Sequence, residues 1–157
     1  MAKGPLRALA PSVRNLVVTQ EICDLLDGKF QSTGFPHFGA DALTARYIAG
    51  YLVGVSLQGT SAPHVDLERL KDEDEIWMIC FRVPRPGWRL FGRFLERDKF
   101  IAIRAYDRHD LPTKGAFHIA AIAMVADWNE IVGMNPVRSG DVGDYLSGVW
   151  RDADDHE

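Results

Sequence analysis

The chain has 157 residues, 46% hydrophobic and 25% charged, with a formal net charge of −4. That size suits one domain, and the composition excludes a disordered, collagen-like or coiled-coil chain. Two cysteines, Cys23 and Cys80, stand without CxxC spacing, so neither a disulfide framework nor a zinc ribbon is indicated. Met1–Pro11 contains no apolar segment, and the most apolar stretch, Tyr47–Leu57, is too short to span a bilayer. The expectation is a cytoplasmic single domain over 1–157, with no membrane partner and with loose tails at 1–12 and 151–157.

In chain order, Val18, Ile22 and Leu25 fall on one helical face and predict a helix over about Val13–Asp27, stopped by Gly28. Phe30–Gly39 reads as a loop, with Phe35, His37 and Phe38 plugging a helix junction. A second helix is expected from Asp41 to about Gly54, where Gly50 and Gly54 mark close packing or the place where the helix gives out. Asp66–Glu73 reads as a short helix, and Lys71–Glu75 as a solvated acidic turn. Ile76–Tyr106 then predicts three strands, with turns at Pro86-Gly87 and Arg97-Asp98. Thr113 is placed to cap a helix over about Ala116–Val132, ending at Gly133 and apolar around more than one side.

Side chains alternate across a strand, so the two turns set the faces. Two-residue turns place Val83 opposite Leu90, Phe94 opposite Ile101, and Leu90 opposite Ala105. One face then carries Trp77, Ile79, Phe81, Val83, Leu90, Phe94, Ile101 and Ile103, with no charge among them. The expected architecture is α+β: an antiparallel sheet of three strands or slightly more, helices on its apolar face, two of them N-terminal, and a buried C-terminal helix.

The opposite face carries Arg82, Arg89, Arg93 and Arg104, interleaved with Cys80, Phe91, Phe100 and Tyr106, and followed by Arg108 and His109. Between Arg82 and Arg108 eight basic residues meet three acidic ones, so an acidic chain concentrates positive charge on one surface. Like charges side by side on a sheet are unfavourable and call for a counter-charge. Guanidinium forks suit phosphate and carboxylate oxygens, and aromatics among them offer stacking platforms for bases. Arg82, Arg89, Phe91, Arg93, Arg104 and Arg108 are therefore the candidate anion- or RNA-binding residues. Three other outcomes are open. The face could meet an acidic protein partner or a second copy of the chain. It could surround a small acidic ligand, with at least two arginines converging on a concave pocket. Or the acidic residues of 141–155 could fold back and neutralise it.

Trp88-Arg89-Leu90-Phe91-Gly92-Arg93-Phe94, followed by Phe100–Arg108 ending in Tyr-Asp-Arg, resembles the late strands of the RelE/ParE/HigB-like toxin superfamily. The resemblance spans about residues 76–108. It implies a metal-independent endoribonuclease without a cofactor and an antitoxin-like partner. RNA phosphate would sit among the arginines, with Tyr106 or His109 as proton carrier and Arg93 stabilising the transition state. The five histidines (His37, His64, His109, His118, His156) have no metal-ligand spacing, and P-loop, GxGxxG and GxSxG motifs are absent from the sequence.

Overall fold

A computed structural model describes residues 6–8, 13–29, 33–59 and 65–154. The remainder of the expected N-terminal tail, the end of the C-terminal one, Phe30, His64 and His156 lie outside the described residues. The strands are β1 (Arg7–Ala8), β2 (Asn15–Val18), β3 (Val53–Ser56), β4 (Leu67–Arg69), β5 (Trp77–Phe81), β6 (Trp88–Glu96), β7 (Lys99–Asp107) and β8 (Trp150–Asp152). The helices are α1 (Gln20–Leu26), α2 (His37–Ile48) and α3 (Lys114–Ile131).

The class is α+β, but the sheet is not three-stranded and antiparallel. Eight strands form one curled mixed sheet in the order β1-β2-β7-β6-β5-β4-β3-β8. The β4–β5–β6–β7 run is antiparallel, while β2 joins β7, and β3 joins both β4 and β8, in parallel. The added strands come from segments expected to be helical or loose. Asn15–Val18 and Val53–Ser56 hold pairs of β-branched valines, which favour a pleated surface and find open strand edges to bond. Gly50, at φ +77°, ends α2 before β3 begins. Asp66 caps no helix; its Oδ2 accepts from the Gly54 N–H at 2.9 Å and so holds β4 near β3. Residues 151–154 are not a loose tail, because β8 extends the sheet and Asp154 accepts from Ser56 Oγ and from the Leu57 amide.

Both faces of the sheet are covered. On one, α1 and α2 enclose a core containing Trp77, Ile79, Phe81, Leu90 and Phe94. On the other, α3 packs Ala120, Ala121, Met124 and Trp128 over Met78, Cys80, Phe91, Ile101 and Ile103. Alanines on that helix face allow a close approach, and Thr113 Oγ1 caps the first turn by accepting from Ala116 N at 3.1 Å. Only one side of α3 is covered; Ile119 is 70% exposed and Ile122 is exposed too, contrary to the expectation of burial on several sides.

The register explains the two misplaced isoleucines. Leu90 pairs with Ala105 and Glu96 with Lys99, as the Arg97-Asp98 turn requires. Between them two irregularities offset each other, so Phe94 meets Phe100 and Gly92 meets Ala102. Phe100 and Ala102 thereby enter the first core, and Ile101 and Ile103 turn to the α3 side. Gly92 permits this: a Cβ there would lie 2.1 Å from the Ile101 carbonyl oxygen. Pro86-Gly87 is not a two-residue turn. Residues 82–87 form a longer loop, and Ile79 pairs with Leu90. The slip of four residues is even, so the faces of β5 and β6 survive it, while Val83 is left 76% exposed in the loop.

Candidate anion-binding cleft

The arginines expected on one open face divide into two groups. Arg93 and Arg104 lie beneath α3 and have acidic partners. Arg93 is 2% exposed; its guanidinium donates to the Asp74 carbonyl at 2.6 Å, lies 3.1 Å from Asp74 Oδ2, and sits 5.5 Å from the Trp128 ring centre. Arg104 donates to Asp127 Oδ2 at 2.5 Å, and its other nitrogen reaches Tyr106 Oη at 3.4 Å. Phe91 is fully buried between Tyr106 and Phe117 and presents no face to a base. Among the described residues the neutralising acids are Asp74 and Asp127, from the β4–β5 turn and α3, rather than residues 141–154.

Arg82, Arg89 and Arg108 converge elsewhere. At the end of the sheet where β5 leaves and β6 enters, they line a cleft of about 480 Å³ with Arg85, His109 and Pro112. The 82–87 loop forms one wall. The other is the 3-10 turn Arg108–Asp110 that follows β7, in which Asp107 accepts from the His109 N–H at 3.0 Å. Pro84 and Pro86 interrupt strand pairing, and Gly87, at φ +80° with no room for a Cβ beside the Phe81 carbonyl, returns the chain into β6.

Within the cleft the positive charge is not balanced. Arg89 is 5% exposed; its Nη1 donates to the Pro86 and Trp88 carbonyls at 3.2 and 3.0 Å, and it makes no ion pair with any described residue. Burial holds its pKa below the usual arginine value, with Arg82 and Arg108 pushing the same way against the pull of Cys80 and Glu68. Arg82 donates through Nε to the Val65 carbonyl at 3.0 Å. Its Nη2 is 3.6 Å from Glu68 Oε2 and has no hydrogen-bond partner among the described residues, although buried. Arg108 bonds the Leu111 carbonyl and lies 4.9 Å from the Phe117 ring centre. Among the described residues, Glu68 is the carboxylate that pairs with Arg82 and acts on Arg89.

His109 stands at the mouth, its Nδ1 2.8 Å from Asp107 Oδ1, so the other ring nitrogen is the one available to a bound molecule. Tyr106 and Arg93, grouped with it in the sequence, are not among the cleft residues. Cys80 pairs across the strands with Arg89, and burial pushes its thiol up to about 11, which leaves it protonated near neutrality. Arg85 was not singled out by sequence; its place between Pro84 and Pro86, beside an arginine-rich strand, is the signal that could have found it.

Among the described residues no group of three His, Cys, Asp or Glu could hold a metal ion, and no helix is long and apolar enough to cross a membrane. Comparison with protein-family models, with curated proteins and with solved structures finds no match to this chain.

Proposed function

We propose that the chain binds a phosphate-bearing ligand in the cleft formed by Arg82, Arg85, Arg89 and Arg108. The observation behind this reading is Arg89, a buried guanidinium without an ion-pair partner among the described residues, flanked by two more of the same sign. A buried charge left in that state is costly, and an anion in the cleft would relieve it. Phosphate is favoured over a single carboxylate because it offers more acceptor oxygens to several forks at once.

The phosphate could belong to a small molecule or to RNA. The sheet face itself does not offer a strand-long track, since α3 covers it, so an RNA would be held at this end of the sheet. The RNA-cleaving step implied by the toxin resemblance has one observation in its favour, the Asp107–His109 contact at the mouth. Equilibrium binding of inorganic phosphate, and of a single-stranded RNA with and without a 5′-phosphate, tests the proposal across a salt series. Binding that weakens with salt and is lost in Arg89→Met is the expected result. Binding unchanged by Arg89→Met, or absent at low salt, overturns it. RNA cleavage abolished by His109→Ala would make the site catalytic, and retained binding without cleavage would make the protein a binding domain.

A further inference from the structure

The arginine cleft is not closed on its far side. It continues into a groove of about 1000 Å³ that shares Arg82, Arg89, Arg108 and Pro112 with it. The groove runs between the β4–β5 region and the first turn of α3. A lone phosphate fills only the arginine end, so the molecule that uses both parts has a body as well as a charged head.

The groove walls restrict what that body can be. Leu70, Met78 and Phe117 give it apolar surface, and the Phe117 ring already carries the Arg108 guanidinium at 4.9 Å. Asp72, Glu73 and His118 give it hydrogen-bonding groups, with His118 Nδ1 2.7 Å from Glu73 Oε1. An acyl chain would leave the polar side unused, and a bare sugar would leave the apolar side unused. A planar ring with exocyclic donors uses both, by stacking and by donation to carboxylates. Lys71 and Lys114 line the same end as Asp72 and Glu73, with Lys114 Nζ 3.8 Å from Asp72 Oδ2, so that end is close to neutral and the ligand's phosphate belongs at the arginine end. We propose that the ligand is a nucleoside mono- or diphosphate, its phosphate among Arg82, Arg89 and Arg108 and its base in the groove against Phe117. This rests on the phosphate-binding reading above and specifies its substrate class.

The test separates the two. The full chain is titrated calorimetrically with the four common ribonucleoside 5′-monophosphates, with ribose 5-phosphate and with inorganic phosphate. At least one nucleotide should bind tenfold or more tightly than ribose 5-phosphate. Gly115→Leu should remove that advantage and leave ribose 5-phosphate affinity unchanged. Gly115 lines the groove, and a Cβ there meets nothing nearer than Thr113 Oγ1 at 3.8 Å, so the backbone has room for a Cβ and the rest of the leucine takes up groove space. Phe117→Ala should act in the same direction from the ring side. If all four nucleotides bind no more tightly than ribose 5-phosphate, or if Gly115→Leu leaves their advantage intact, the base site is wrong and phosphate binding still stands. If neither ribose 5-phosphate nor inorganic phosphate binds, the phosphate reading falls and takes the nucleotide with it.

Discussion

Arg89 and Arg93 leave the same strand four residues apart, point to the same face, and are both almost wholly buried, yet their surroundings differ completely. Arg93 has a carboxylate, a backbone carbonyl and an indole ring around it. Arg89 has two backbone carbonyls, two other arginines and only the more distant pull of Cys80 and Glu68. The first arrangement is self-sufficient and belongs to the core beneath α3. The second contains no ion pair to Arg89 among the described residues. Burial of a guanidinium is therefore no guide to its role; what distinguishes the two is whether the fold supplies the opposite charge.

Substitution should separate the two ends of β6. The largest loss is expected from Gly92→Ala, whose Cβ would enter the Ile101 carbonyl, and from Arg93→Met, which removes the contacts to Asp74 and Trp128. Each should cost about 3 kcal/mol, read as a lower urea midpoint at unchanged slope. Arg104→Ala, with a partner that is mostly shielded, should cost about 1–2 kcal/mol in the same assay. Arg89→Met should cost less than about 1 kcal/mol, because removing an uncompensated buried charge offsets the two hydrogen bonds lost. Phosphate should raise the Tm of the wild type and leave that of Arg89→Met unmoved. An Arg89→Met variant as damaged as Arg93→Met would erase the comparison.

The smallest effect concerns pH. The hydrogen bond from Arg138, reinforced by Arg93, holds the Asp74 carboxyl below the usual carboxylate range despite some loss of solvation. A carboxyl with a depressed folded pKa stabilises the fold above its unfolded value, and that contribution disappears as the pH falls through the folded one. Wild type should therefore lose stability more steeply than Asp74→Asn below about pH 4, in acid titrations followed by circular dichroism. Parallel curves would remove Asp74 from the account of Arg93.

The alternation of Ile76–Phe94 was legible in the sequence because each side chain on β5 and β6 has a strong reason to be on its face. The third strand was misread halfway along, where a register irregularity at Gly92 has no signature beyond one glycine. Strands of three or four residues, such as β2, β3 and β4, are too short to show a period, and tertiary pairing decided them. The concentration of arginine between residues 82 and 108 was visible. Which arginines would be neutralised was not, because Asp74 and Asp127 reach them through a turn and a helix distant in sequence. The cleft itself is assembled from a loop, a strand end and a 3-10 turn, and the groove from the start of α3. No local pattern encodes such a meeting.

The mixed sheet has a consequence for how the chain reaches this state. Strands β5, β6 and β7 follow one another and can pair through short connections, whereas β2 must find Ile101 from Val17 and β8 must find Val53 from Trp150. Closing such long loops carries an entropic cost before any contact rewards it, so pairing at the two margins should trail formation of the central meander. In pulse-labelling hydrogen exchange, amides of β6 and β7 should become protected first and those of β3 and β8 last. The arginine cleft, built on the meander, would then take shape before the margins of the sheet are sealed.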